Sequence, residues 1–265
     1  MIIKNYSDKK LVDYLKPGMH ICIKFYHGLG DTIMFYPYFE YLQNLFPDVK
    51  MTLWTSIGQE EYFGKVSCDE KDYDIVFELQ FPCSEFSDFT KKYTKAEFCC
   101  IKELGIDYSK VKEYSLQIKK MKSPLVAVHF QGTSCPNKTN PNYRYCKVIY
   151  EQIIENGLIP IEIMFQHKYH NSKNSKYDFI GCTVRDCKPS INNLIGLLQR
   201  CCGFVGVNSG PFHLAMNIFP DKVLYLEKDM PYNLYVHSRK IKSLNTNKPF
   251  DMAIFNEWIK EIKNI

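Results

Sequence analysis

The chain has 265 residues, 45% apolar and 24% charged, with a formal net charge of +5, proportions that suit one large or two small α/β domains. No apolar run approaches the roughly 20 residues that a membrane span needs, and the mild charge excess does not call for nucleic acid. Eleven cysteines, odd in number and irregular in spacing, argue against a disulfide framework. Cys22, Cys146 and the Cys201-Cys202 pair lie in apolar segments, where thiols act as small hydrophobes. Cys182 and Cys187 with that pair leave a metal site as an alternative, although Cys-x2-Cys spacing is absent. The first ten residues turn polar at once and show no signal-peptide core, so a cytoplasmic location is expected.

Short β-branched runs alternate with longer amphipathic stretches, the pattern of parallel βαβ units. In chain order the spacing predicts strands at His20–Phe25, Lys50–Trp54, Ile75–Glu78, Leu125–Phe130, Leu158–Met164, Phe179–Gly181, Phe204–Val207 and Lys222–Leu226. Helices are predicted at Thr32–Leu45, Phe86–Leu104, Asn142–Asn156, Ile191–Cys201, Pro211–Met216 and Asp251–Lys263. The basic, polar stretch Lys110–Ser123 ends at Pro124 and separates two halves. The expected organisation is an N-terminal Rossmann-like domain at 1–121 and a second at 122–265. The last helix is allowed to pack back on the first.

Three turns stand out. After the first predicted strand comes Tyr26-His27-Gly28-Leu29-Gly30-Asp31-Thr32. Its glycines Gly28 and Gly30 permit a tight turn and close approach of a ligand, and the carboxylate of Asp31 stands where the next helix opens. The run lacks the third glycine of a dinucleotide fingerprint and the Gly-Lys-Ser/Thr of a P-loop. Alone, Asp31 is more commonly a helix cap than a catalyst. The second turn, Gln131-Gly-Thr-Ser-Cys-Pro-Asn-Lys-Thr-Asn-Pro141, carries donors at Thr133 and Ser134 and a positive charge at Lys138. The third is Val205-Gly-Val-Asn-Ser-Gly-Pro-Phe-His-Leu-Ala215. There an apolar strand meets a helix with Asn208, Ser209 and Gly210 at its start and His213 in its first turn. Such a helix N-terminus is an anion site by virtue of its N–H groups and dipole, so a phosphate or diphosphate is the expected guest.

Weaker features take blander readings. Asp72-Tyr73-Asp74 has a metal-binding pattern but precedes an apolar strand, so Asp74 reads as a strand-start residue. Ser209 does not sit in Gly-x-Ser-x-Gly and is not read as an acyl-transfer nucleophile. His129 ends a strand and reads as a satisfied buried histidine. His167 and His170 read as surface residues.

Taken together and in order, these segments resemble the bacterial heptosyltransferase family (glycosyltransferase family 9). The similarity also takes in Tyr73-Asp74-Ile-Val-Phe-Glu-Leu79 and Asn192-Asn-Leu-Ile-Gly-Leu-Leu198, and runs from about Cys22 to about Leu226. The resemblance implies a GT-B architecture: two doubly wound α/β domains facing across a cleft. It also implies inversion at the anomeric carbon with no metal or cofactor. Asp31 would be the general base and Lys138 the phosphate-stabilising lysine. Gly28, Gly30, Thr133, Ser134, Asn208, Ser209, Gly210 and His213 would line the donor diphosphate. The donor would be a nucleoside-diphosphate sugar, ADP-heptose among the candidates. The acceptor would be a glycan, glycolipid or protein hydroxyl, as in lipopolysaccharide or other cell-surface glycan synthesis, with a peripheral membrane position as one option.

Two departures from the family pattern bear on the donor. Asn208 stands where the family has Asp, and Phe165-Gln166-His167 stands where a glutamate is common. Neither the sugar nor the nucleotide is therefore assigned. A sugar-nucleotide epimerase on the same scaffold and a non-catalytic nucleotide-sugar-binding protein remain as alternatives.

Overall fold

The computed structural model describes residues 2–4, 9–56, 58–60, 63, 69–79, 93–111, 123–132, 136–165, 183–187, 190–219, 221–229 and 241–264. The chain divides into two compact units, Met1–Tyr114 with Asn233–His237, and Ser115–Tyr232 with Ser238–Ile265. Each unit is an α/β layer structure around its own parallel sheet.

The first unit contains β1 (Ile2–Lys4), β2 (His20–Phe25), helix α1 (Leu29–Leu45), β3 (Lys50–Thr55), β4 (Ile75–Glu78) and the short helix α2 (Lys95–Cys99). Its strands pair in parallel in the order β1-β4-β2-β3. β2 alternates its side chains between two faces, as the strand period requires. Phe25 stacks on Phe35 of α1 at 4.5 Å between centroids, while Cys22 and Val76 pack with Tyr73 and Trp54. Asp74 behaves as a strand-start residue: its carboxylate accepts from His20 N–H at 2.7 Å and its own N–H donates to His20 C=O at 2.8 Å.

Helix boundaries in this unit differ from the expectation in two places. α1 opens at Leu29, not Thr32, because Gly28 is the N-cap. Gly30 and Asp31 therefore lie in the first helical turn, where a carboxylate is favoured by the helix dipole. α2 opens at Lys95 because Thr94 and Glu97 form a reciprocal capping box. It passes into a π-helical turn, Cys100–Leu104, closed by Gly105 at φ +76°. The predicted start at Phe86 lies outside the described residues.

The second unit contains β5 (Leu125–His129), α3 (Pro136–Thr139), α4 (Tyr143–Glu155), β6 (Ile159–Phe165), β7 (Thr183–Cys187), α5 (Ile191–Leu198), β8 (Gly203–Gly206), α6 (Gly210–Ile218), β9 (Val223–Glu227), β10 (Lys242–Asn245) and α7 (Met252–Lys263). All described strands run parallel in the order β7-β6-β5-β8-β9-β10. The chain starts in the middle, winds outward one way, then returns to β8 and winds outward the other way. That is the Rossmann strand order, with its reversal between β5 and β8.

Period-2 alternation sorts the core of this unit onto two sides. Val126, Val128, Val205, Val207, Leu224 and Leu226 pack with Tyr145, Cys146, Ile149 and Ile153 of α4 and with Phe255, Trp258, Ile259 and Ile262 of α7. The intervening Phe204 and Tyr225 face Phe212 of α6. Helices thus cover both faces, the doubly wound arrangement.

α7 packs within the second unit: its stripe of Phe255, Trp258, Ile259 and Ile262 is buried in that unit's core. Trp258 Nε1–H donates to Lys222 C=O at 3.1 Å. At Gly203 a Cβ would meet Ile262 at 2.6 Å, so this glycine lets α7 seat on the sheet. Fully burying each of these large apolar side chains contributes roughly 1.5–3 kcal/mol.

Among the described residues, three strands lay beyond the sequence patterns: β1, β7 and β10, each at an edge of its described sheet. The predicted strand Phe179–Gly181 lies outside the described residues. Among the described residues no helix is long and apolar enough to cross a membrane.

Candidate functional site

In open parallel sheets a ligand crevice forms where the winding reverses, because the loops on either side diverge there. In the second unit that point lies between β5 and β8, and the two turns singled out in the sequence emerge from these strands. The strands approach closely at Gly206, where a Cβ would fall 2.6 Å from His129 C=O. Val207 N–H donates to the same carbonyl at 3.0 Å. One turn further, Gly132 lies against Asn208, whose carbonyl would sit 3.0 Å from an added Cβ. The two anion-friendly turns are therefore neighbours in space, although about 75 residues separate them in the chain.

Each turn is braced by its own polar network. Ser209 is the N-cap of α6 and accepts from Phe212 N–H at 3.3 Å, while its hydroxyl donates to Val207 C=O at 3.0 Å. Pro211 has no N–H. Any anion docking at this end must therefore draw on the N–H groups of Ser209 and Gly210. His213 is buried, 2% exposed, and its Nε2–H donates to Asn208 Oδ1 at 2.8 Å. The imidazole thus acts on the turn through Asn208, whose side chain it orients.

The other turn is folded around Asn140. Its Oδ1 accepts from Gly132 N–H at 2.7 Å and from Thr139 Oγ1–H at 3.0 Å, and its Nδ2–H donates to Gly132 C=O at 3.3 Å. Lys138 is exposed on α3. That helix is tied to the end of β9: Asp229 N–H donates to Lys138 C=O at 3.0 Å and Lys228 Nζ donates to Asn137 C=O at 2.8 Å. Asn247 extends the tie by donating to Asp229 Oδ1 at 2.9 Å. Thr133 and Ser134 lie outside the described residues. His129 is the buried, satisfied histidine expected: its Nδ1 lies 2.8 Å from Ile163 C=O, and burial pushes its basicity below the usual range.

The first unit reverses its winding between β2 and β4, and the turn that carries Asp31 follows β2. Ser56 Oγ–H and Gln59 Nε2–H donate to His27 C=O at 3.1 and 3.0 Å, pinning the turn. Gly28 has an extended backbone, and among the described residues a Cβ there would meet nothing within 4 Å. Asp31 Oδ1 lies 3.4 Å from Lys95 Nζ of α2, with side chains 23% and 13% exposed. The His27 ring packs at a tilt against Phe25, with 4.5 Å between centroids. Burial lowers its basicity, the charge of Asp31 raises it, a hydrogen bond with the Leu79 backbone raises it, and the charge of Lys95 lowers it.

The structure thus brings Gly132, Asn208, Ser209, Gly210 and His213 together in the second unit and places Gly28, Gly30 and Asp31 in one turn of the first. Sequence patterns missed Lys95, Asn140 and Lys228. Asn140 had a faint signal in Asn140-Pro141, a turn dipeptide. Lys95 had none, because it lies 64 positions from its partner.

No protein-family model matches the chain, and no curated protein matches it in sequence. Solved structures do. The chain superposes on the dodecameric iron-containing heptosyltransferase TibC, determined with ADP-D-β-D-heptose, with a TM-score of 0.68 and 18% identity, covering 89% of this chain and 65% of TibC. A second TibC structure, from enterotoxigenic E. coli H10407, gives the same score with 67% of that chain covered. The chain therefore spans about two thirds of the length of TibC. E. coli ADP-heptose lps heptosyltransferase II matches with a TM-score of 0.67 and 12% identity over 92% of this chain and all of that one. A family 9 glycosyl transferase from Veillonella parvula matches with a TM-score of 0.56 and 11% identity, covering 94% and 90%. The chain accordingly has the fold of the heptosyltransferases.

Proposed function

We propose that the protein is an inverting glycosyltransferase of the heptosyltransferase kind. It would move a sugar from a nucleoside-diphosphate donor to a hydroxyl on a glycan, glycolipid or protein. The observation that carries this reading is the meeting of two anion-friendly turns at the Rossmann reversal of the second unit, in a chain with the fold of enzymes that include one solved with ADP-D-β-D-heptose. In this reading the two α/β units are the two Rossmann-like domains of a GT-B glycosyltransferase. The donor diphosphate rests on the N–H groups of Ser209 and Gly210, with Asn208, Gly132, Thr133 and Ser134 around it.

The chemistry follows from charge. As the acceptor oxygen bonds to the anomeric carbon from the face opposite the leaving group, the bond from that carbon to the diphosphate oxygen breaks. Negative charge grows on the diphosphate, where Lys138 and the α6 N-terminus stabilise it. The acceptor hydroxyl loses its proton to Asp31, a role that requires hydrogen-bond reach and contributes typically 10²–10⁴-fold. Gly28 leaves room for the sugar beside that carboxylate.

Substituting Asp31→Asn tests the reading with ADP-heptose as donor. Transfer is expected to fall at least about a hundredfold, while donor binding measured by calorimetry stays within twofold. Unchanged turnover would remove the base from the mechanism. Tight donor binding by the unmodified protein without transfer to any acceptor would instead favour a non-catalytic nucleotide-sugar-binding protein, a reading that the uncharged Asn208 encourages.

A further inference from the structure

The Asp31 turn contains more than a carboxylate. Lys95 reaches it from α2, a helix whose start is fixed by the Thr94–Glu97 capping box. The ammonium approaches Oδ1 at 3.4 Å, and both side chains are largely withdrawn from solvent. A carboxylate has two oxygens, and an ion pair on one of them restricts rotation about the Cβ–Cγ bond. His27 completes the group from the preceding turn, its backbone carbonyl held by Ser56 and Gln59.

We propose that Lys95 is a positioning residue for the Asp31 base, holding Oδ1 from α2 so that Oδ2 faces the acceptor hydroxyl. The inference rests on the proposed role of Asp31 and names the group that keeps that carboxylate aimed. The ordinary alternative is an ion pair that ties α2 to α1. The two differ in what they predict. A tie between helices acts on stability and on every kinetic constant through folding. An aiming contact acts on the chemical step, because a displacement near 1 Å costs up to about a hundredfold in rate.

Among the described residues, the charges that act on Asp31 come from Lys95 of α2 and His27 of the turn after β2. His27 therefore reports on the contact without any substrate. Its imidazole titrates below the ordinary histidine range because of burial, with Asp31 pulling it up and Lys95 pushing it down.

The experiment compares full-length Lys95→Met, Lys95→Gln and Lys95→Arg with Asp31→Asn. With ADP-heptose, Lys95→Met and Lys95→Gln should lower kcat about tenfold to a hundredfold with donor KM within twofold. Lys95→Arg, which keeps the charge, should recover most of the rate. In ¹H–¹⁵N spectra of the histidine rings, Lys95→Met should raise the His27 midpoint and Asp31→Asn should lower it. Loss of turnover in Asp31→Asn with unaltered kcat in both neutral Lys95 variants would overturn the inference and leave the base reading intact. An unmoved His27 midpoint in Lys95→Met would also overturn it. Unaltered turnover in Asp31→Asn would instead defeat the base reading, and with it the reason for aiming the carboxylate.

Discussion

Glu103 shows how a single half-buried residue can carry a pH dependence. It lies in the π-helical turn after α2, and its Oε2 is buried without a hydrogen-bond partner among the described residues. Burial pushes its pKa up to about 7, against the opposing pull of Lys10 and Lys102. The folded protein therefore holds a proton that the unfolded chain, titrating near 4.5, would release. By linkage, the stability associated with that proton is fully present below the unfolded value and is lost as pH rises through about 7. Replacing Glu103 with Gln should flatten this part of the profile, so that the variant gains on the parent between pH 5 and pH 8. Urea denaturation at those two pH values measures it; equal losses in both proteins would show that another group sets the slope. Asn208 teaches a different lesson at this scale. The side chain that departs from the family pattern is the one His213 orients, so the departure changes charge while keeping a fixed acceptor for the imidazole.

At the scale of elements, α6 and α3 are both short, and each depends on side chains at its ends. Ser209 caps α6 and braces the turn before it. Removing the hydroxyl in Ser209→Ala should cost about 1 kcal/mol of stability through the lost cap, and should weaken ADP binding as the Gly210 N–H group loses its fixed direction. Denaturant unfolding and calorimetry with ADP read the two effects separately. A stability loss with unaltered ADP affinity would place the diphosphate elsewhere. α3 has only four residues and cannot hold itself together by helix propensity. Its place comes from Lys228, Asp229 and Asn247, which tie it to the end of β9.

For the whole molecule, the proposed roles fall on different units, diphosphate binding on the second and proton removal on the first. Hydrogen exchange on the intact protein tests this division of labour. ADP should protect backbone amides near Gly132 and Ser209–Gly210, and a sugar-bearing donor should add protection at Gly28–Thr32. Protection confined to the second unit with every ligand would leave Asp31 without a substrate to serve. Ligand at 100 times Kd should also raise stability by about 2.7 kcal/mol, a shift readable by thermal denaturation.

Period and punctuation in the chain determined most of what is local. Continuous apolar strands such as Phe204–Val207 and the Ser209-Gly210-Pro211 helix start were legible because an inner strand must be apolar and a helix start must satisfy its own N–H groups. Edge strands β1, β7 and β10 were not, since an edge strand can form with few apolar residues and is defined by its neighbour. The packing of α7 on its own unit, the Lys95–Asp31 pair and the Asn140 and Lys228 braces were decided only in three dimensions. Contacts between residues tens of positions apart leave no spacing in the chain; they depend on which strands lie side by side.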